Sequence, residues 1–378
     1  MKNKYLIFLL LLTVFSISSC IQDEAPNAEC DIISVDDAWL EENKDIIIGK
    51  PVITNNLVKF NVKNVSFELL KELSPVFDLT QGARIEKIGE PIEDGESSLI
   101  MQYRTFAEDG VWWKDYKVTF TKPTLIPINH VFSFENFSLD SSGKYYTWHE
   151  IINNTQLDWW SNGNPGYKMV AGKKPATEYP TSSYSEGFSG DCVKLTTCDT
   201  GALGKMSKMP IAAGSIFLGE FDNTNAMKAP LKATNFGLQI APGKPIALTG
   251  YYKYTPGAEF TDKNKMVVEN RRDTCAIYSV LFEVDPENLD QLDGSNITSS
   301  KRIVLIAEME NPGEPTEWTH FNIPFLPKND KEFDFDKLLN NEYAITIVAS
   351  SSKDGAFFEG AIGSTLLVDE IKIEWELE

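Results

Sequence analysis

Short runs in which apolar and polar residues alternate are the feature that most constrains this fold. They recur along nearly the whole chain, and glycine, asparagine and aspartate residues separate them. A period of two is typical of strands that bury one face, and helical periodicity is scarce here. The pattern predicts an all-β protein with one short helix near residues 335–340.

In the first third of the chain these runs are short and evenly spaced. Clear examples are residues 58–62, 98–103 and 113–120. Small two-sheet sandwiches show this pattern, so residues 30–122 are predicted to form an immunoglobulin-like β-sandwich. Pro123 and Pro127 then indicate a stiff linker over residues 123–130.

After the linker the strand-like runs are longer, and long polar loops separate them. The clearest runs are residues 244–254, 275–283, 303–308, 343–350 and 365–375. Many strands joined by long loops favour a jelly roll. The predicted fold class is therefore an immunoglobulin-like β-sandwich followed by a larger β-jelly-roll sandwich over residues 131–378.

The amino terminus is typical of a processing signal. Basic residues precede an apolar run over residues 5–15, and small residues precede Cys20. This order indicates a bacterial lipoprotein signal over residues 1–19, with acylation of the Cys20 thiol, followed by a tether over residues 20–29. An ordinary secretory signal that ends near a cysteine is the alternative.

Charge and hydropathy restrict the location and the partners. Asp23 and Glu24 follow Cys20 and resemble the surface-export tag of Bacteroidetes lipoproteins. We therefore expect a cell-surface lipoprotein of the outer membrane, held by its lipid, since no later apolar run is long enough for a membrane helix. A net charge of −20 repels phosphate backbones, so no nucleic-acid partner is expected.

The cysteines other than Cys20 do not indicate a metal site. They are Cys30, Cys192, Cys198 and Cys275. The cell surface permits disulfides, but the pairing stays open, and a bond between Cys192 and Cys198 would need an intervening turn. No cysteine or histidine spacing is typical of zinc, so buried free thiols are the default expectation.

Both predicted domains resemble known families. Residues 77–85 and 107–118 resemble small immunoglobulin-like domains of Bacteroidetes surface proteins, in which Trp112 and Trp113 would pack in the core or at a sheet edge. The second domain resembles the Bacteroidetes family named as a putative carbohydrate-metabolism domain. The matching segments are residues 134–136, 160–166, 248–254 and 363–371. The resemblance implies a spacer domain followed by a carbohydrate-binding jelly roll.

The segment DWWSNGNPGYK, residues 158–168, combines aromatic rings with amides. Sugar sites need aromatic faces for the C–H face of a ring and polar groups for its hydroxyls. We expect a loop with at least one indole near the surface, where the tryptophans either cover a sugar pocket or plug the sandwich. The candidate carbohydrate-binding residues are Trp159, Trp160, Asn162, Asn164, Tyr167, Tyr252, Tyr254, Arg271 and Asp273.

Three tyrosines of one predicted strand add phenol groups to this set. By strand parity, Tyr252 and Tyr254 share one face of the sheet and Tyr251 lies on the other. Core packing is the alternative for each single aromatic residue, because most aromatic side chains are largely buried.

Glu135 and Asp369 are candidate ligands of a structural calcium ion. They lie near the first and last strands of the predicted jelly roll, where many sugar-binding jelly rolls hold Ca²⁺. Calcium takes about six to eight oxygen ligands, several of them backbone carbonyls. The alternative is that both carboxylates accept hydrogen bonds from backbone amides at strand edges.

These features together predict a surface-anchored lipoprotein whose jelly roll binds an oligo- or polysaccharide in support of carbohydrate uptake. A glycoside hydrolase is the first alternative, but it needs two facing carboxylates, and the acidic sequence singles out no pair. The three histidines and the absence of a Gly-x-Ser-x-Gly elbow give little support to a Ser-His-Asp site. The second alternative is an adhesin or structural surface component with protein partners.

Overall fold

The computed structural model describes residues 27–63, 65–95, 97–285 and 291–377. The predicted signal peptide, the acylation site at Cys20 and most of the tether lie outside these residues. Across the described ranges, no helix is long and apolar enough to cross a bilayer.

The amino-terminal domain consists of short strands and two short helices. Its strands are β1 (Ile32–Val35), β2 (Ile47–Ile53), β3 (Leu57–Val62), β4 (Phe77–Leu79), β5 (Arg84–Asp94), β6 (Ser98–Phe106) and β7 (Trp113–Thr121). Its helices are α1 (Asp37–Glu42) and α2 (Phe67–Lys71). Each helix begins at a capping side chain: Asp36 accepts from the amide of Trp39, and Ser66 accepts from the amide of Leu69.

A five-stranded sheet in the order β2-β3-β7-β6-β5 forms one layer of this domain. The pairing of β3 with β7 is parallel, and the other neighbours are antiparallel. The β1–β4 ribbon and the two helices cover the inner face. Phe60 and Phe120 stack at the centre with ring centroids 4.9 Å apart. The second layer is thus a two-stranded ribbon with helices instead of a second full sheet.

The carboxy-terminal domain contains most of the strands. They are β8 (Phe137–Leu139), β9 (Tyr146–Trp148), β10 (Glu150–Ile152), β11 (Thr155–Leu157), β12 (Trp160–Asn162), β13 (Thr181–Tyr184), β14 (Cys192–Thr196), β15 (Cys198–Asp199), β16 (Ile211–Ala212), β17 (Ser215–Phe221), β18 (Thr234–Phe236), β19 (Lys244–Thr255), β20 (Phe260–Thr261), β21 (Ala276–Glu283), β22 (Ile303–Glu308), β23 (Thr319–Pro324), β24 (Leu326–Pro327), β25 (Tyr343–Ser350), β26 (Gly360–Ala361) and β27 (Thr365–Glu376). The α-helices are α3 (Asn164–Tyr167), α4 (Gly201–Met206) and α5 (Phe335–Leu339). Single 3₁₀ turns cover Ala176–Glu178, Pro230–Lys232 and Gly355–Phe357.

Two antiparallel sheets pack face to face in this domain. One is five-stranded, in the order β13-β14-β27-β19-β23, and the other is seven-stranded, in the order β12-β17-β25-β21-β22-β24 with β18 added to β17. Their inner faces share one apolar core, to which Leu195 and Leu366 contribute from the first sheet and Ile216 and Ile347 from the second. The fold class is therefore all-β, as predicted, with a larger two-sheet sandwich in the carboxy-terminal domain. The amino-terminal domain differs from the predicted two-sheet sandwich only in its second layer.

The two sheets differ in how their outer faces are covered. Loops cover the seven-stranded sheet and pack on a second apolar cluster that includes Phe217, Phe282 and Val348. The outer face of the five-stranded sheet carries the β13–β14 loop. The four described cysteines are unbonded, and burial raises the pKa of the Cys192 and Cys275 thiols to about 12.

Candidate functional site

Both tryptophans of the segment 158–168 lie in the core, so the expectation of a surface indole is wrong. Trp159 is 8% exposed, and Trp160, which begins β12, is 5% exposed. The Trp160 Nε1 donates to Glu150 Oε1 at 2.7 Å, and its ring packs edge-to-face on Phe132. Of the two roles expected for these tryptophans, covering a sugar pocket or plugging the sandwich, the structure shows the second.

The polar side chains of the same segment already bond within the protein. Asn162 Oδ1 accepts from the amide of Asn164 at 3.0 Å. Asn164 exchanges two hydrogen bonds with the backbone of Thr181, at 2.7 and 3.1 Å, and Tyr167 Oη donates to Asp199 O at 3.1 Å. The segment is a strand followed by a helical turn, not a loop, because these bonds fix its backbone.

The predicted alternation of the three β19 tyrosines between the two faces of the sheet is confirmed. It leaves Tyr251, and not Tyr252 or Tyr254, accessible to a ligand. Tyr252 and Tyr254 point into the sandwich core and are 6% and 1% exposed. The Tyr252 hydroxyl donates to the carbonyl of Pro312. Neither ring can offer a face to a sugar, so Tyr251, on the outer face, is the tyrosine of this strand that can.

Asp273 and Arg271 hold loops in place. Asp273 is 4% exposed. Its Oδ2 accepts hydrogen bonds from Ser352 Oγ at 2.6 Å, Ala361 N at 2.7 Å and Ser364 Oγ at 2.7 Å. Arg271 lies nearer the surface, where it pairs with Asp354 and lies over the ring of Phe260. The buried carboxylate therefore has a structural role, and it is not a sugar ligand.

Glu135 and Asp369 both bond to the backbone of the β13–β14 loop. Asp369 is fully buried; its Oδ2 accepts from the amide of Ser189 at 3.0 Å and its Oδ1 from that of Glu370 at 2.8 Å. Glu135 Oε1 accepts from the amide of Asp191 at 2.9 Å. This is the backbone-amide arrangement named above as the alternative to calcium.

A metal at these carboxylates is not supported by the arrangement of donors around them. Both oxygens of Asp369 already face N–H donors. Within the described ranges, no group of three or more histidine, cysteine, aspartate or glutamate side chains is placed to hold an ion. Calcium at these carboxylates stays a prediction from the sequence.

The outer face of the five-stranded sheet carries a partly exposed group of rings, of which only Tyr251 was noted from the sequence. Phe188 stacks on Tyr251, with ring centroids 3.5 Å apart and planes 8° apart. Trp318 lies edge-on to Phe188 at 6.5 Å, and His320 lies edge-on to Tyr251 at 5.1 Å. We call these four residues the aromatic patch.

Strand register explains why the rings of the patch meet. Tyr251 pairs with His320 on β23 and with Asp369 on β27, and side chains directly opposite on one face are neighbours. Asp369 in turn holds Ser189, the residue after Phe188. Phe188 comes from a loop, and no periodicity in the sequence connects it with β19.

Two lysines flank the patch on the same face of the sheet. Lys253 lies two residues beyond Tyr251, with its Nζ 5.3 Å from the Trp318 ring centroid. Lys194 lies across β27 from Lys253, since both pair with Leu367. Within the described part of the chain neither lysine forms an ion pair, so both charges are available to a ligand.

A cavity of about 250 Å³ lies on the other outer face, between the seven-stranded sheet and its loops. Gly163, Gly166 and Tyr167 form part of its wall, so the opposite side of the segment 158–168 faces this space. Its described lining is mostly apolar and contains Lys353 but no aspartate, glutamate or histidine. It therefore lacks the carboxylate pair that glycoside hydrolysis requires.

Comparisons with known proteins agree with the carbohydrate-related resemblance. Residues 133–374 match the family model described as "Putative carbohydrate metabolism domain". A solved putative glycoside hydrolase from Bacteroides thetaiotaomicron VPI-5482 is 38% identical, with a TM-score of 0.66, over 94% of this chain and 100% of that one. Another, from Bacteroides vulgatus ATCC 8482, is 38% identical, with a TM-score of 0.61, over 67% of this chain and 100% of that one. No curated protein matches the chain.

Proposed function

This chain belongs to the "Putative carbohydrate metabolism domain" family, and on that premise we propose that it binds a glycan on the aromatic patch. The supporting observation is the stack of Phe188 on Tyr251, which holds Phe188 in place although it is 46% exposed. An exposed ring fixed in this way presents one free face at little further cost in conformational entropy.

The surroundings of the stack suit a sugar. The free face of Phe188 can contact the C–H face of a pyranose, which is partly a burial of apolar surface. His320 and the Tyr251 phenol provide hydrogen-bonding groups at its edge. Lys253 and Lys194 add positive charge on a chain whose net charge is −20, which favours glycans that carry carboxylate or sulfate groups.

A glycan array followed by titration calorimetry on the mature chain tests this proposal. Phe188→Ala is expected to weaken binding about tenfold or more, as truncation of a central aromatic anchor does, with an unchanged melting temperature. Phe357→Ala is the matched control, because Phe357 is another exposed phenylalanine, 53% exposed, away from the patch. A folded protein that binds no glycan would contradict the proposal and favour the adhesin alternative.

A glycoside hydrolase is the second candidate, because the two solved relatives are described as putative glycoside hydrolases. Burial raises the pKa of Glu370, and the nearby charge of Glu135 raises it further. A general acid needs a raised pKa of this kind. Release of reducing sugar by the wild type, lost in Glu370→Gln, would support hydrolysis, whereas binding without turnover would exclude it.

We propose that the protein acts at the cell surface, held by a lipid on Cys20, in support of polysaccharide uptake. The order of basic, apolar and small residues before Cys20 supports this. Mass spectrometry of the amino-terminal peptide should detect acylation. Cys20→Ser should release the protein from the membrane fraction, and retention of that variant would contradict anchoring by this lipid.

A further inference from the structure

The β6–β7 hairpin carries three consecutive exposed apolar residues at its tip. Val111, Trp112 and Trp113 are 71%, 62% and 55% exposed, so neither tryptophan packs in the core. The Trp113 ring packs against the Arg104 guanidinium, whose Cζ lies 4.1 Å from the ring centroid. The tip is nevertheless well defined: Asp109 Oδ1 accepts from the amide of Val111 at 2.8 Å, and the Ala107 amide donates to Trp112 O at 2.9 Å. We call residues 111–113 the tryptophan tip.

The chain enters the domain beside this hairpin. Asn27 is the first described residue. Its amide donates to Glu108 Oε2 at 2.9 Å, and its carbonyl accepts from the amide of Asp109 at 3.3 Å. Cys20 is seven residues earlier in the sequence, so even a fully extended tether spans only about 25 Å. A lipid on Cys20 would keep the hairpin close to the membrane surface.

The jelly roll is attached at the opposite end of the same strand. β7 begins at Trp113 and runs nine residues to Thr121, a length of about 27 Å at the usual rise per residue. The linker to the carboxy-terminal domain follows directly. The tether and the tryptophan tip thus share one end of the sheet, and the connection to the aromatic patch leaves from the other.

We propose that the tryptophan tip inserts into the lipid–water interface of the membrane that anchors Cys20 and thereby orients the jelly roll outward. The proposal rests on the lipid anchor suggested above. Indole rings favour this interface because one edge is apolar and the other can donate a hydrogen bond. Glu108 and Asp109, next to the tip, would stay on the water side.

The tip should orient the protein without anchoring it. Few basic side chains lie beside it, and Arg104 and Lys114 are already paired, with Asp115 and Asp31. Insertion of three side chains becomes favourable when the tether holds the tryptophan tip at a high effective concentration near the bilayer. The unlipidated chain is therefore expected to bind vesicles poorly.

Fluorescence quenching by lipid tests the inference on the full protein, expressed with its signal peptide and acylated. The lipoprotein is placed in phosphatidylcholine vesicles with or without a brominated phosphatidylcholine, and tryptophan emission is compared. We expect quenching in the wild type and at least about threefold less in the double variant Trp112→Ser and Trp113→Ser. Trp375→Phe, which removes an indole of the jelly roll, should quench like the wild type.

A second variant keeps both fluorophores. Val111→Asp places a charge at the tip, so quenching should fall although Trp112 and Trp113 remain, and melting temperatures confirm that each variant is folded. Vesicle-bound protein with no quenching, or with equal quenching in the double variant, overturns the membrane contact alone. Protein that does not sediment with the vesicles overturns the lipid anchor and this inference together. Loss of glycan binding in the double variant, without lipid quenching, would assign the tip to a sugar instead.

Discussion

The carboxylate of Asp369 accepts a hydrogen bond from the amide of Ser189 at 3.0 Å, across 180 positions of sequence. Ser189 follows Phe188, so this bond helps to place the Phe188 ring on Tyr251. The exposed aromatic patch therefore depends on a fully buried acid. This relationship connects the pH dependence of stability with the proposed sugar site.

Stability should fall as pH rises through the titration range of Asp369. Burial raises its pKa from 3.8 to about 6, so the folded chain holds the proton more tightly than the unfolded chain. The protonated carboxyl contributes at most about 3 kcal/mol to the free energy of unfolding. This contribution is fully present below pH 3.8 and is lost as the pH rises to about 6. Denaturant unfolding of the wild type and Asp369→Asn at several pH values measures it.

The comparison isolates this one carboxyl, because other acids contribute equally to both proteins. The difference in unfolding free energy, wild type minus Asp369→Asn, should decrease between pH 4 and pH 7. A difference that is constant over this range would show that the acid does not titrate there.

Trp160→Ala should destabilise the fold and not act specifically on sugar binding. The substitution removes a buried ring and leaves Glu150 without one of its two donors, since His130 Nε2 at 2.9 Å is the other. We expect a loss of about 3–5 kcal/mol in chemical denaturation. Trp160→Phe keeps most of the volume and should lose less, about 1–3 kcal/mol. Normal stability of Trp160→Ala would contradict the core position.

Asp273→Ala should loosen the segment from Ser352 to Ser364. Three buried donors would lose their acceptor at once, which should cost on the order of 3–5 kcal/mol. Hydrogen exchange of the Ala361 amide should accelerate strongly. Ser364→Ala removes a single donor, and its effect should be much smaller; equal effects would mean that the carboxylate does not organise the segment.

Lys253→Met should reduce the affinity for acidic glycans more than that for neutral ones. The substitution keeps an unbranched chain beside Trp318 but removes the positive charge. We expect a loss of roughly three- to tenfold for a uronate-containing ligand, together with a weaker salt dependence. Lys244→Met, on the same strand but paired with Glu376, is the control. Equal losses for acidic and neutral glycans would show that the charge plays no part.

Strand positions were predictable because alternation records burial directly. The runs predicted at residues 303–308 and 343–350 coincide with β22 and β25, and those at 244–254 and 365–375 differ from β19 and β27 by one residue at one end. The short helix α5 lies at its predicted place. Each pattern is local, so neighbouring residues suffice to specify it.

The candidate site was less predictable. The two-residue period of β19 places Tyr251 on one face of the sheet and Tyr252 and Tyr254 on the other. It does not say which of the two faces the second sheet will cover. From the sequence alone, Asn162 and Asn164 are plausible sugar ligands. In the structure their side-chain amides already form hydrogen bonds with the backbone of Asn164 and Thr181. Nothing in the sequence around Phe188 indicates that it stacks on a strand residue more than sixty positions away.

The sequence by itself determined the all-β class, the places of the long strands such as β22 and β25, and which side chains of one strand share a face. Only the tertiary structure decided which face became core, and therefore that Trp160 is buried while Phe188 and Trp112 are exposed. The physical reason is that hydrogen-bond partners and burial are set by contacts between distant strands. A local pattern records how side chains alternate, whereas the packing of a second layer decides which of them water can reach.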